Sequence, residues 1–458
     1  MYFAWLEFYI SWLVIPAFFG TVCGILEHTS ASDKFDIKFM TLGEWSLLIF
    51  ALLLSICSTL MDQLWVRKQS VIAWKWGVSD YYKIEEQRSG YKGEYKHDHI
   101  SGTIKKISNN SQTPKQVAGH AVACIFVIMV IICVVELMIY KSQLHFLKQN
   151  SIAEFIGIAN AIQIKIFNFI YRYVAKFLTN WENYETQTQH INSLIVKLFT
   201  FQFINSYISL FYIAFVKRHY EKCLNDDCLG ELTLQLGSIY ITNLFLNVIE
   251  LGLPFIKSRI RMRKLQNTFV VPEQMQKSYE SYDEPLDDYM EIVIGYGYVV
   301  LFGVAFTFTP LMALFLCIVE LRVDAWKLCN LTRRPFPAKD GSIGIWLKVT
   351  QAMAVAGVIT NVGVIIFTTD VFDSASSQQQ WTIFFIIEHA LLIFKISLSA
   401  VIPDKPSQVE DGLKWSSRVA NERIYERYAD ANQERKLKGL VFKTPHTQSV
   451  IKVDEILI

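Results

Sequence analysis

Long apolar stretches alternate with shorter polar ones along the whole chain. Ten of these stretches are each about 20 residues or longer, the length that carries an α-helix across the bilayer hydrocarbon. They cover residues 2–26, 45–65, 118–140, 153–178, 194–216, 233–257, 289–307, 309–328, 344–367 and 381–403. The apolar residues run continuously instead of alternating, which argues against a transmembrane β-barrel. The pattern predicts an all-α, polytopic membrane protein with ten transmembrane helices.

Lysine and arginine concentrate in alternate connections between these segments. Residues 66–117, 258–288 and 329–343 are rich in both, whereas 368–380 contains neither. Basic loops stay on the cytoplasmic side of a membrane, so these three loops are predicted to be cytosolic. An even number of spans then places both termini in the cytoplasm.

Two regions follow from this topology. Residues 1–403 are predicted to form the transmembrane domain, and the polar residues 404–458 a cytosolic C-terminal tail. The apolar run across 289–328 must hold two spans, and we expect the chain to reverse near Phe306–Pro310 because Pro310 lacks a backbone donor.

Composition narrows the function classes. Hydrophobic residues make up 52% of the chain and charged residues 19%, and the net charge is only +2. These values exclude a disordered chain and give no reason to expect a nucleic-acid partner. None of the sequence motifs of hydrolases, nucleotide-binding enzymes or zinc proteases is present, so we expect a protein that is not an enzyme.

Two of the eight cysteines stand apart from the rest. Cys223 and Cys228 lie in a short loop on the side of the membrane that is poor in basic residues, where disulfides persist. A Cys223–Cys228 disulfide is predicted, and two unpaired loop thiols are the alternative.

Acidic residues recur within the sixth apolar segment, at the start of the seventh and at the end of the eighth, where the membrane makes charge costly. Asp288 and Glu291 are three residues apart, and Glu320 and Asp324 are four apart, so each pair of carboxylates lies on one face of its helix. The candidate metal ligands are Asn247, Glu250, Asp288, Glu291, Glu320 and Asp324. A ligand set made of oxygen alone favours a hard cation, and flexible carboxylates from several helices suit Ca²⁺, with charge for two ions. The alternative is a group of helix-end acids that face water.

Polar residues also follow one face of the fourth and fifth segments at helical spacing. They are Lys165, Asn168, Arg172, Lys176, Lys197, Gln202 and Asn205. A polar stripe on a membrane helix requires a wet groove or a polar partner helix. The stripe is therefore interpreted either as one wall of a hydrophilic furrow for ions or lipid headgroups, or as interhelical hydrogen bonding.

Several motifs along the chain resemble those of the anoctamin family of calcium-activated anion channels and phospholipid scramblases. The most specific is Phe203-Ile-Asn-Ser-Tyr-Ile-Ser-Leu-Phe-Tyr-Ile-Ala-Phe in the fifth span. Asp288-Tyr-Met-Glu291 and Glu320-Leu-Arg-Val-Asp-Ala325 are similar to the acidic pairs of the seventh and eighth spans. Trp181-Glu-Asn183 and Ile402-Pro-Asp-Lys-Pro406 look most like the intracellular branch of the family.

This resemblance implies a homodimer in which each subunit carries its own groove and its own calcium site. It implies calcium-activated, passive phospholipid scrambling or chloride conduction, with phospholipids and chloride or other anions as partners. The expected membrane is an ER-like endomembrane or the plasma membrane. Two alternatives stay open: a membrane tether or scaffold without transport, and an ion-coupled carrier that uses the same acids.

The chain also departs from the family pattern. The expected architecture has no folded N-terminal cytosolic domain before the first span, unlike that of the family, so either the sequence is truncated or the protein does without this domain. The family's hinge glycine in span six corresponds to Tyr240. A further family metal site joins spans two and ten, and here Asp404 matches one ligand while Asp62 lies only near another.

Overall fold

The computed structural model describes most of the chain. It leaves out residues 31–35, 38–39, 80–84, 86, 98–103, 109–112, 147–149, 221–222, 224–226, 266–276, 278, 283–284, 336–339, 373–375 and 438–458. Within the helices, some segments are described by their backbone alone, among them 150–158 and 246–251. Residues Met1–Asp404 form one compact unit, and a second unit begins at Lys405.

Helices dominate the first unit, and each predicted apolar segment coincides mostly with a helical stretch, although 289–307 continues past the end of its helix at Phe302. They are α1 (Tyr2–Ser30), α2 (Leu42–Lys75), α3 (Thr113–Phe146), α4 (Asn150–Glu182), α5 (Gln187–Phe211), α6 (Lys217–Tyr220), α7 (Cys228–Leu265), α8 (Leu286–Phe302), α9 (Thr309–Asn330), α10 (Ile345–Phe367) and α11 (Ser377–Val401). A π-helical turn, Tyr212–Val216, joins α5 to α6. The predicted helical class is confirmed.

Among the described residues, six helical stretches are long and apolar enough to cross a membrane: Tyr2–Glu27, Trp45–Lys75, Pro114–Leu144, Gln187–Val216, Ile345–Phe367 and Ser377–Val401. Two of the other four segments differ from these six in length or charge. Helix α8 has only 17 residues, and α9 carries Glu320, Arg322 and Asp324. Helices α4 and α7 include residues that are described by their backbone alone, so this count does not cover them in full. The count of ten crossings stays a prediction.

Short strand pairs accompany the helices, which the all-α prediction did not include. Strands β1 (Asp36–Ile37) and β2 (Met40–Thr41) pair antiparallel. Strands β3 (Glu94–His97) and β4 (Ile104–Ile107) form an antiparallel hairpin in the first basic loop. Strands β5 (Glu280–Ser281) and β6 (Thr332–Arg333) pair in parallel and link the two later basic loops.

The reversal predicted near Phe306–Pro310 is confirmed. Helix α8 ends at Phe302, and α9 begins at Thr309 with Pro310 in its first turn, where a missing N–H costs nothing. Helix α1 packs tightly against this turn. A Cβ on Gly20 would lie 2.3 Å from the Thr307 carbonyl oxygen, so only glycine allows this approach.

An aromatic core joins α1 to α8 and α10. The Trp5 and Tyr9 side chains are almost completely buried, and the Tyr9 ring lies 5.8 Å from Tyr296 in an edge-on arrangement. Tyr289 stacks on Trp346 at 5.7 Å. Burial of large rings with such geometry fixes α8 between its neighbours, and α8 in turn positions the candidate site.

The second unit is described only through α12 (Ser407–Leu437). Its surface carries an exposed i,i+4 ion pair between Glu410 and Lys414, at 2.7 Å. Residues 438–458 of the predicted tail lie outside the described residues.

Candidate transport groove and metal site

A cavity of about 220 Å³ lies between α4, α5, α7, α8 and α9. Its polar lining consists of Lys165, Asn168, Arg172, Gln202, Ser206, Asn243, Asp287, Glu291 and Glu320. Four of the predicted groove residues and two of the predicted metal ligands therefore share one space. The sequence analysis predicted these two groups separately, and the fold places members of both around one cavity.

The polar residues on α4 fit both interpretations of the sequence, a furrow wall and polar contacts between helices. Lys165, Asn168 and Arg172 line the cavity, as a furrow wall requires. Arg172 also forms an ion pair with Asp287 at the start of α8. Lys176 follows one helical turn later and is not among the residues that line this cavity.

On α5 only Gln202 lines the cavity among the three predicted residues. Asn205 is fully buried and donates to the Ile164 carbonyl and to Asn168 Oδ1, each at 2.9 Å. Its role is interhelical hydrogen bonding, the second interpretation.

Lys197 has a different partner. Its ammonium group lies 2.7 Å from a Glu182 carboxylate oxygen, and both side chains are at most 1% exposed. The pair joins the C-terminal end of α4 to α5. Lys197 therefore forms a buried structural ion pair with Glu182 and does not line the described cavity.

Two of the predicted metal ligands, Asp288 on α8 and Asp324 on α9, contact the same lysine. The Lys327 ammonium lies 3.3 Å from Asp288 Oδ1 and 3.9 Å from Asp324 Oδ1. The second oxygen of each carboxylate accepts a hydrogen bond from a tyrosine hydroxyl. Tyr2 donates to Asp324 Oδ2 at 2.6 Å, and Tyr282 donates to Asp288 Oδ2 at 2.7 Å. Burial raises the pKa of Tyr282, so this hydroxyl keeps its proton and acts as a donor.

Glu291 and Glu320 lie on the same two helices and both line the cavity. The side chains of Asn247 and Glu250 on α7 lie outside the described residues. In the described part of the chain, no three acidic, histidine or cysteine side chains are placed to hold one metal ion together. The donor set itself fits Ca²⁺, because it consists of carboxylate and amide oxygens on adjacent helices.

Comparison with known proteins assigns the fold to a family. A family profile described as "Anoctamin: Calcium-activated chloride channel" matches residues 1–415. The chain belongs to the anoctamin family. It is 30% identical over 437 residues to Anoctamin-10 from Homo sapiens, covering 90% of this chain and 62% of that protein.

Other anoctamins match at similar levels. Identity is 28% over 440 residues with Anoctamin-7 from Mus musculus, covering 81% of this chain and 51% of that protein. It is 28% over 450 residues with Anoctamin-4 from Homo sapiens, covering 81% and 47%. The chain thus spans less than two thirds of the length of these relatives. Members of the anoctamin family are channels and scramblases and not enzymes.

The two residues of the possible second metal site, Asp62 and Asp404, have different neighbours in the structure. Asp62 is buried and accepts a hydrogen bond from Thr350 at 3.0 Å. The Asp404 carbonyl lies 3.5 Å from the Ser70 hydroxyl. Ser70 follows Asp62 by two helical turns on α2, about 12 Å along the axis. The Asp404 backbone therefore lies beside Ser70, about two helical turns along α2 from Asp62.

The predicted cysteine pair is bonded in the structure. Cys223 and Cys228 form a disulfide between α6 and α7, with Cα atoms 5.0 Å apart. It closes the short connection between the predicted fifth and sixth spans.

Sequence reasoning missed three residues of the anoctamin site: Tyr2, Tyr282 and Lys327. The position of Lys327, three residues after Asp324, was a readable signal, because that spacing places both on one helix face. Tyr2 is 322 residues away from Asp324, and only the packing of α1 against α9 brings them together.

Proposed function

We propose that this anoctamin moves phospholipids passively between membrane leaflets and that Ca²⁺ activates the movement. The observation that supports it most is the cavity that joins the polar stripe of α4 to Glu291 and Glu320. Lipid headgroups need a polar path, and the acids at its wall provide a means of control by cations. The proposed assembly is a homodimer of subunits with ten spans, each with its own groove.

The proposed calcium ligands are Asn247, Glu250, Asp288, Glu291, Glu320 and Asp324, with two ions per subunit. When bound, the ions supply positive charge that compensates carboxylates in a medium of low dielectric constant. Glu291 and Glu320 line the cavity, so they link the charge of the site to the shape of the path. Glu250 lies on α7, the helix that also contributes Tyr240 to the cavity wall.

We propose that compensation of these acids lets α7 move away from α4 and opens the groove to lipid. Calcium drives this change only through its preference for the open state, since scrambling consumes no other energy source. Tyr240, at the position of the family's hinge glycine, is buried with its ring 5.8 Å from Tyr298. When α7 moves, the Tyr240 ring must either break its contact with Tyr298 or move together with α8.

Anion conduction along the same groove is the second candidate. Lys165 and Arg172 both line the cavity, and positive side chains attract anions and lipid phosphates alike. A tether without transport and an ion-coupled carrier are further alternatives. A carrier saturates and follows an ion gradient, a scramblase equilibrates labelled lipid, and a tether does neither.

Filling the cavity should block transport. Gln202→Trp places a large ring in the proposed path and should reduce scrambling of fluorescent lipid in liposomes at least about tenfold, because a groove must admit a whole headgroup. Val196→Trp is the matched control, since Val196 lies on the same helix and is 39% exposed. Both variants should elute as the parent does. If Gln202→Trp scrambles lipid as fast as the parent, this cavity is not part of the lipid path.

Topology gives an independent test. Residues 66–117 and the tail 404–458 should both be cytoplasmic, because their lysines and arginines oppose translocation. Protease added to sealed vesicles of known orientation should cut both segments from the cytosolic side alone. Cleavage from the lumenal side would contradict the proposal of ten spans. The proposed location is an ER-like endomembrane or the plasma membrane.

A further inference from the structure

One lysine occupies the space between two of the proposed calcium ligands. The Lys327 ammonium lies within 3.3 Å of Asp288 and 3.9 Å of Asp324, one oxygen of each. The second oxygens accept hydrogen bonds from Tyr282 and Tyr2. All four oxygens of the two aspartates thus contact donors that belong to the protein itself. A divalent cation that bound between these two carboxylates would have to displace the Lys327 ammonium group.

The exposure of the three side chains differs in a way that matters. Lys327 is 39% exposed, whereas Asp288 is 12% and Asp324 is 7% exposed. The ammonium group therefore has a route to water, and its flexible four-carbon stem allows it to withdraw. The aspartates are much less exposed, and each accepts a hydrogen bond from a tyrosine hydroxyl that orients it.

We propose that Lys327 is a tethered competitor of calcium, whose ammonium group compensates Asp288 and Asp324 until Ca²⁺ displaces it. The inference rests on the proposed function, because it concerns the same acids. It assigns to Lys327 the setting of the calcium threshold. A monovalent group that is covalently attached is always present at the site, so the free ion must exceed a concentration set by this competition.

Removing Lys327 should have two opposite effects. In chelator, Lys327→Gln should lower the thermal unfolding midpoint, because two buried carboxylates lose their countercharge. With Ca²⁺, the same variant should reach half-maximal stabilisation at about one tenth of the parent's Ca²⁺ concentration, since the ion no longer has a competitor. A residue that merely positioned the aspartates would instead weaken calcium binding when removed.

The test is a Ca²⁺ titration of thermal unfolding on the purified protein, which requires no transport. Lys327→Arg keeps the charge and should retain at least part of the competition. Arg322→Gln is the matched control, because Arg322 lies on the same helix between Glu320 and Asp324 and is exposed. It should leave the titration unchanged.

Three results would overturn the inference: an unchanged or weakened calcium response of Lys327→Gln, an equal shift in Arg322→Gln, or no calcium response in either the parent or Lys327→Gln. Glu320→Gln separates the two proposals. If Ca²⁺ stabilises the parent and Glu320→Gln needs more of it while Lys327→Gln does not need less, the calcium site stands and the role of Lys327 fails.

Discussion

Replacing Glu320 with glutamine should shift the calcium dependence of transport to at least about tenfold higher Ca²⁺. The substitution keeps the shape of the side chain and removes one charge, and the affinity of a hard-cation site follows the charge of its ligands. Glu320 lies on α9 and lines the cavity, so it connects the site to the path. The measurement is lipid scrambling in liposomes across a Ca²⁺ titration.

A second effect acts in the opposite direction. Neutralising one acid also relieves repulsion among the others, so some transport without Ca²⁺ is expected. The shift to higher Ca²⁺ should dominate, because the remaining proposed acids still repel one another. An unchanged curve would mean that these acids form a solvated cluster at the helix ends, and calcium gating through them would have to be abandoned.

Asp62→Asn is the control for this experiment. Asp62 accepts its hydrogen bond from Thr350 through a carboxylate oxygen, and an asparagine carbonyl accepts the same bond. The variant removes a buried charge in the same unit but away from Glu320. It should shift the calcium curve much less than Glu320→Gln. A shift of equal size would show that the response reports buried charge in general.

The largest effect on stability is expected at the Lys197–Glu182 ion pair. Both side chains are at most 1% exposed and 2.7 Å apart, and the pair joins α4 to α5. Lys197→Met removes the countercharge of the buried Glu182 carboxylate in a medium of low dielectric constant. Breaking such a pair typically costs about 3–5 kcal/mol. The free energy of unfolding in detergent, or the thermal midpoint where unfolding is irreversible, measures the loss.

A double variant distinguishes ion pairing from packing. Lys197→Met combined with Glu182→Gln removes both charges and should recover a large part of the lost stability. Lys414→Met is the control, because its partner Glu410 is exposed on α12 and such pairs contribute little. If Lys197→Met is as stable as the parent, the pair does not hold α4 to α5.

The helices could be predicted from the sequence because apolar runs of about 20 residues have few other structures available to them. The reversal before Pro310 followed from one missing backbone donor. The spacing of Asp288 with Glu291, and of Glu320 with Asp324, placed the acids on common helix faces before any contact was known.

The partners of polar residues could not be predicted in the same way. Lys197, Gln202 and Asn205 share one periodic pattern, yet one forms an ion pair, one lines the cavity and one bonds to α4. Helical spacing fixes the face of a residue but not the helix that faces it. Tyr2 shows the same limit, since its contact with Asp324 depends on how α1 packs against α9.

The most direct test of the proposed function measures lipid scrambling and anion flux in the same liposomes, with and without Ca²⁺. The parent chain should equilibrate fluorescent phospholipid between leaflets in Ca²⁺ and much more slowly in chelator, and Gln202→Trp should abolish the difference. Anion flux that rises with Ca²⁺ while lipid stays in its leaflet would make conduction the function. If neither lipid nor anion moves in response to Ca²⁺, the account of a calcium-activated groove is contradicted.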